Sequence, residues 1–261
     1  MKKIFLKAPK ITGLSRSYFN YFFGEKEIKY LKKYLSKKEY AFIDVGANYG
    51  IYSFIFASSA KLSIIVEPIK ECIDYIRRGL KQSSLMMINK LASNTNKPQI
   101  IKIPIENNKK IFGRSSIGNT FNNYEELSIS SFKLDELTQN LQKISFDILF
   151  IKIDVEGHEN EVLEGSKRLF TEYDMLLLIE IEKRHNPKFM EIYRVLTQNQ
   201  FSVYHVNKNN LIEIKLSLIH ISEPTRRTPI SYAVFCLKKI FFLMIRRPPR
   251  STRKESSAAS D

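Results

Sequence analysis

Short apolar runs ending in glycine or acidic residues alternate along this chain with segments whose apolar residues recur at helical spacing. Between Glu25 and Leu35, Ile28, Leu31 and Leu35 stand three and four apart with lysines between them, which predicts a surface helix. AFIDV (Ala41–Val45) predicts a first strand, Gly46 to Gly50 a turn, and the apolar IYSFIFA the next helix. LSIIVEP (Leu62–Pro68) predicts a second strand, Glu71 to Leu80 a helix, and MMINK (Met86–Lys90) a third strand. Residues 93–123, rich in Asn, Lys and Ser, read mostly as loop with one strand at Ile100–Ile105. LSISSF (Leu127–Phe132) alternates in part, and LDELTQNL begins a short helix. DILFIKIDVEG (Asp147–Gly157) predicts the strongest strand, a long apolar run stopping in acids and a glycine. A helix over Asn160–Phe170, the strand MLLLIEIE (Met175–Glu182), a helix marked by Phe189, Ile192, Tyr193 and Leu196, and a hairpin of FSVYHV and LIEI across Asn207–Asn210 complete the pattern.

Strands alternating with helices predict an α/β fold, with a mostly parallel sheet and helices on both faces. Ligands of such sheets bind outside the carboxyl ends of the strands. The polar residues there are Asp44 to Gly50, Glu67, Asn89, Asp154 to Glu159 and Glu180 to His185. No apolar run approaches the ~20 residues a membrane span needs.

The first constellation is Asp44-Val-Gly46-Ala-Asn48-Tyr-Gly50, with Glu67 at the end of the next strand. Glycines after a first strand let a ligand approach the backbone, and an acid about 20 residues on can hold ribose hydroxyls, so an adenosine-bearing cofactor is expected. A dinucleotide brings an anionic pyrophosphate and wants G-x-G-x-x-G; here a glycine is missing and Asp44 stands near the turn. S-adenosylmethionine brings a sulfonium and an ammonium, which carboxylates attract, and a carboxylate misplaced against phosphate costs about 1–4 kcal/mol. The sign of the charge favours S-adenosylmethionine over NAD, and a nicotinamide-dependent oxidoreductase is the alternative.

The second constellation is Asp154-Val-Glu156-Gly-His158-Glu159, followed by Glu161 and Glu164. Glu161 and Glu164 suit an exposed helix start, where the dipole favours acids. Acids and a histidine closing a buried strand are costly unless they bind or catalyse. An acceptor hydroxyl losing its proton needs a base within hydrogen-bond reach, and the candidates, in order, are Asp154, His158 and His185. Asp154, Glu156 and His158 also form a conceivable divalent-cation set, which stays secondary; no metal is expected.

The motifs FIDVGANYG, IVEP, FKLDEL, FIKIDVEGHENEVLEGSKRLF and LLLIEIEKRH occur in that order over roughly residues 25–206. In this the chain resembles the FkbM-type S-adenosylmethionine-dependent methyltransferases. The resemblance implies a class I, Rossmann-like methyltransferase sheet and methyl transfer, usually to oxygen, on a small molecule or glycan. By position it implies Asp44, Gly46, Asn48 and Gly50 along the methionine half, Glu67 on the ribose, and Asp154 and Glu156 facing the reacting end; Asn89, from its place at the third strand's end, is a further cofactor-binding candidate. Ser115-Ser116 matches the family's serine-containing loop only loosely.

Charge adds less than it first suggests. The chain has 42 Lys+Arg against 27 Asp+Glu, a net +15, but part of that excess lies in a segment of odd character. LSLIHISEPTR (216–226) back-translates onto a transposase mosaic end; ISYAVFCL (230–237), MIRRPPRST (244–252) and SSAASD (256–261) back-translate onto pieces of sequencing-library adaptors. We read 216–261 as a non-native tail, 37–215 as the catalytic domain and 1–36 as a helical lead-in, with the sheet's last strand truncated and an inner strand left unpaired. Without the tail the excess is 33 − 24 = +9. With no appended nucleic-acid module and no basic stripe interleaved with aromatics, RNA binding is the lesser alternative. Two cysteines make no disulfide framework, and the start MKKIFLKAPKITG lacks an apolar stretch, so a cytoplasmic protein without signal peptide is expected.

Overall fold

The structure is a computed structural model that describes residues 26–118, 121–181, 189–207, 210–213 and 240–246. His185, the N-terminal 25 residues and most of 214–261 lie outside them. In chain order, α1 (Lys26–Leu35) precedes β1 (Tyr40–Val45), α2 (Ile51–Phe56), β2 (Leu62–Val66), α3 (Lys70–Gly79), β3 (Leu85–Ile88) and β4 (Leu91–Ala92). Next come β5 (Gln99–Glu106), β6 (Lys109–Lys110), β7 (Tyr124–Ile129), β8 (Ser131–Phe132) and α4 (Thr138–Leu141). The chain continues through β9 (Ile148–Ile153), α5 (Glu159–Glu164), α6 (Lys167–Glu172), β10 (Met175–Ile181), α7 (Phe189–Gln198), β11 (Ser202–Asn207), β12 (Asn210–Glu213) and β13 (Ile240–Arg246).

β10–β9–β1–β2–β3 run parallel and form the centre of an eight-stranded sheet, which continues antiparallel through β13, β11 and β12. The order, with β1 between β2 and β9, is that of the class I, Rossmann-like methyltransferase sheet. Every residue of β1, β9 and β10 is buried, because helices cover both faces. Side chains alternate between those faces. Ala41, Ile43, Val45, Ile151 and Ile153 join Leu163, Phe170 and Leu196 in one core. Phe42, Phe150 and Leu176 join Ile28, Leu31, Leu35 and Phe56 in the other.

That second face changes character toward the carboxyl ends. Phe42 pairs in register with Phe150, their rings 5.0 Å apart. One step further along the same face, Asp44 pairs with Lys152. The sheet thus swaps an aromatic row for a charged one where parallel strands deliver ligands.

Residues 93–123 are mostly loop around the expected strand, which lies inside β5; what the sequence does not show is that β5 pairs with β6 and β7 in a three-stranded antiparallel sheet, with Ile101 opposite Leu127 and Ile103 opposite Glu125. Its inner residues Ile101 and Ile103 pack on Ile69 and Cys72 of the main body, while lysines and glutamates on the outer positions mask the alternation. The structure corrects two expectations. First, the helix expected over Asn160–Phe170 is two, α5 and α6, broken at Gly165, whose Cα lies so close to β4's end that an added Cβ would stand 2.1 Å from the Ser93 carbonyl oxygen. Second, among the described residues no inner strand of the large sheet is left unpaired. β13, from the segment read as adaptor-encoded, lies between β10 and β11, from Met175↔Arg246 to Ile181↔Ile240 on one side and Ser202↔Ile245 to Tyr204↔Leu243 on the other. Ladder hydrogen bonds are made by main-chain groups that every non-proline residue carries.

Among the described residues no helix is long and apolar enough to cross a membrane.

Candidate active site

The turn after β1 is pressed against the end of β9. Gly46 has φ +69°, and a Cβ there would fall 1.9 Å from the Asp154 carbonyl oxygen, so only glycine fits. The amides of Gly46 and Ala47 both donate to the Val66 carbonyl at 3.0 and 3.3 Å, anchoring the turn to β2. Asn48 also takes a left-handed conformation, at φ 51°, which asparagine tolerates better than most residues.

Glu67, just past β2, is 4% exposed. Its Oε2 accepts the Asn48 amide at 2.6 Å and its Oε1 the Ile69 amide at 2.8 Å. Burial pushes its carboxyl up to about 7, against the pull of those two amides. Asn89 donates through Nδ2 to the Glu67 and Pro68 carbonyls at 2.9 and 2.8 Å, so it braces this corner from behind.

Beyond β9 the chain enters the cleft in a constrained form: Glu156 has φ 49° and Gly157 φ 99°. A non-glycine residue at positive φ is held there by its surroundings. Here the Ser116 hydroxyl donates to the Glu156 carbonyl at 2.8 Å, and Glu159 Oε1 accepts the Gly157 amide at 2.9 Å. Glu159 is buried, unlike its neighbour Glu161. His158 lies with Nε2 3.0 Å from Ser93 Oγ and Nδ1 3.3 Å from Glu161 Oε2. Burial holds its imidazole below the ordinary range, with Glu161 opposing.

Lys152 is the residue that sequence reasoning passed over. It is 4% exposed, donates to the Gly46 carbonyl at 3.0 Å, stands 3.3 Å from Asp154 Oδ2 and 3.6 Å from Asp44 Oδ1, and lies 5.4 Å from the Tyr52 ring centre. Burial pulls the ammonium's pKa down, but Asp154, Asp44 and Glu180 together outweigh it and hold it raised. Asp44, fully buried, accepts the Ser53 hydroxyl at 2.6 Å; burial pushes its carboxyl up while Lys152 and Ser53 pull it back. The sequence signal is a single lysine inside an apolar strand; that Asp44 stands beside it in register is shown by the strand pairing.

Two cavities meet over these residues. The first runs from Gly46 and Glu67 past Ala92 to Asp154 and His158, under a loop carrying Phe112 to Ile117. The second lies over Lys152 between Tyr49, Tyr52 and Glu180. Asn48, Gly113, Asp154 and Glu156 line both and form the partition. Of the residues singled out by sequence, Gly46, Asn48, Glu67, Asp154, Glu156 and His158 come together on the first cavity. Asp44, Gly50 and Asn89 line neither cavity; Gly50, at φ +76°, backs onto the Ile76 side chain. His185 lies outside the described residues. Among the described residues no group of three or more His, Cys, Asp or Glu is arranged to hold a metal ion.

The profile of the Methyltransferase FkbM domain matches residues 44–203. Among solved structures, the chain is similar to the methyltransferase FkbM from Methylobacillus flagellatus KT, at 13% identity and TM-score 0.43, over 91% of this chain and 55% of that one. It thus spans little more than half that protein's length. It is also similar to magnesium protoporphyrin IX methyltransferase from Synechocystis PCC 6803 with bound SAM (12% identity, TM-score 0.41, 94% and 97% of the two chains). A third likeness is to the N-methyltransferase NodS from Bradyrhizobium japonicum WM9 in complex with S-adenosyl-L-homocysteine (8% identity, TM-score 0.40, 87% and 88%). No protein of curated function matches the chain by sequence.

Proposed function

The chain belongs to the FkbM methyltransferase family, whose domain it matches over residues 44–203, and from that premise we propose that it moves a methyl group from S-adenosylmethionine to an oxygen of a small molecule or glycan. The observation that carries the cofactor reading is the charge of the first cavity. Glu67 at one end and Asp154 and Glu156 at the other are carboxylates, which suit ribose hydroxyls and a cationic donor and repel a pyrophosphate. A glycine that no other residue can replace at the turn gives the backbone room to approach a ligand.

S-adenosylmethionine, when bound, supplies an electrophilic methyl group on a sulfonium. Glu67 would accept hydrogen bonds from its ribose, and Asn48 and Gly46 would border it on the β1 side. Asp154, at the partition and 28% exposed at its side chain, is the group we assign to take the proton an acceptor hydroxyl loses as its oxygen gains the methyl. Glu156 beside it would orient the acceptor. His158, its ring nitrogens engaged by Ser93 and Glu161, is the weaker base. The rest is alignment, which an in-line displacement needs above all.

Thermal denaturation of the full chain tests this. S-adenosylhomocysteine at about 100 times its Kd adds about 2.7 kcal/mol of stability, so the Tm should rise by about 5 °C or more. NADH should leave it unchanged; stabilisation by NADH alone would replace this reading with the oxidoreductase one.

A second outcome concerns pH. With its carboxyl at about 7 in the fold against 4.5 ordinarily, Glu67 binds more protons folded than unfolded between those values. Its contribution to stability is therefore present at low pH and lost as pH rises through about 7. Ribose hydroxyls donating to Glu67 would favour the ionised form and lower that pKa. Calorimetry at pH 6.5 in two buffers of different ionisation enthalpy should then show a fraction of a proton released per S-adenosylhomocysteine bound. Affinity should climb from pH 5 to 7 and then level, and Glu67→Gln should abolish both effects. A wild-type affinity flat across that range would remove Glu67 from the ribose.

A further inference from the structure

Outside the adaptor-like tail, the net charge of the chain is confined to its start. Residues 1–38 hold 11 Lys and Arg against 2 Asp and Glu, whereas residues 39–215 hold 22 against 22. A lysine-rich composition alone would raise the excess along the whole chain, so the imbalance belongs to this segment.

α1 shows what the imbalance builds. Ile28, Leu31 and Leu35 are buried with Phe42 and Phe150, which turns the lysines of the helix outward. Lys29, Lys32 and Lys33, with Lys37 and Lys38 just past the helix, are exposed. Lys29, Tyr30, Lys33, Tyr34, Lys37 and Lys38 line one groove, as residues four apart on a helix do. This row of lysines between tyrosines corrects the expectation that no basic stripe is interleaved with aromatics. The nearby acids are withdrawn from it: Glu27 is 7% exposed, and Glu39 forms an ion pair with Lys61 at 2.6 Å. Among the described residues, Lys33, Lys37 and Lys38 take part in no ion pair.

Such a face attracts polyanions, and its side chains favour one kind. Residues 26–38 contain six lysines and no arginine. Arginine forks suit individual phosphates, whereas lysines are hydrated point charges that suit a diffuse anionic surface. Stacking of nucleic-acid bases needs open ring faces. Here the Tyr30 and Tyr34 rings stack on each other at 6.3 Å, and Lys38 Nζ lies 5.4 Å from the Tyr34 ring centre. Shortly before α1, five of residues 18–23 are Tyr or Phe, and aromatic rings settle at the headgroup level of a bilayer. Lysine clusters beside such residues bind acidic lipid.

We propose that the outward face of α1 docks the protein on an anionic lipid bilayer, as a peripheral attachment in which lysines meet acidic headgroups. This docking does not depend on which cofactor the first cavity holds.

Sedimentation of the full chain with phosphatidylcholine vesicles, with and without about 30% phosphatidylserine, tests it. The protein should sediment with the phosphatidylserine vesicles alone, and less as salt rises. Lys33→Gln, Lys37→Gln and Lys38→Gln combined should lower the partition coefficient at least about tenfold, since each lysine near the surface is worth about fivefold. Lys97→Gln, Lys143→Gln and Lys167→Gln remove the same charge from exposed positions elsewhere, and should leave it within about twofold. Both triple variants should keep the wild-type Tm. Should the first melt early, Lys37→Glu alone replaces it, with an expected loss of at least about fivefold. Equal binding to the two kinds of vesicle, equal losses from the two triple variants, or wild-type binding by the first would each overturn the proposal. Oligouridylate should fail to strip the protein from the vesicles at equal phosphate concentration; if it strips the protein off, a polynucleotide is the occupant and the lipid assignment falls.

Discussion

Gly46→Ala should leave a protein that is about 2–5 kcal/mol less stable and no longer binds S-adenosylhomocysteine. Alanine at φ +69° pays about 1–2 kcal/mol for a left-handed conformation. Its Cβ would also fall 1.9 Å from the Asp154 carbonyl oxygen. Backbone, unlike a side-chain tip, cannot swing away, so the β1 turn and the β9 end must separate, a strain of about 1–3 kcal/mol. That separation moves Asn48 and Asp154, two of the four residues that line both cavities. Gly118→Ala is the control, because a Cβ there meets nothing within 4 Å. Urea denaturation and calorimetry on both variants read the outcome. A Gly46→Ala protein with wild-type stability and affinity would mean that the turn does not hold the site together.

Much of this was legible in the chain because parallel central strands are buried on both faces. AFIDV, LSIIV, ILFIKI and MLLLIEI are continuous apolar runs, and their ends mark where ligands collect. Gly46, Asn48, Glu67, Asp154 and Glu156 were found that way, and all line the first cavity. What escaped did so for physical reasons. Asp44 lies inside β1 rather than past its tip, and only the strand register shows it opposite Lys152. Sequence spacing cannot reveal register between strands over a hundred residues apart. The small β5–β6–β7 sheet exposes one face, where lysines and glutamates break up the alternation. The link between His158 and Ser93 spans 65 residues and depends on β4 ending beside α5. Likewise, truncation of the sheet was inferred from which residues looked native. Pairing at an open strand edge is decided by main-chain groups instead, and β13 meets that requirement.

Lys152→Met is the other substitution expected to have a large effect, about 3–5 kcal/mol of stability at pH 8, the usual cost of removing one partner of a buried ion pair. Methionine fills the space but leaves Asp44 fully buried with the Ser53 hydroxyl as its remaining partner. Its carboxyl, already raised by burial, then rises further for want of the ammonium. A folded-state pKa raised above the unfolded one gives stability that is present at low pH and lost as pH rises. The deficit of Lys152→Met against wild type should therefore narrow on going from pH 8 to pH 5, as Asp44 takes up a proton. Asp44→Asn combined with Lys152→Met should recover a large part of the loss at pH 8, since the stranded charge is then gone. Urea denaturation at both pH values reads all three proteins. If the deficit were equal at pH 5 and pH 8, and the double variant no better than the single, the loss would come from packing alone. Lys152 would then be a filler of space rather than the charge that lets two carboxylates share the end of this sheet.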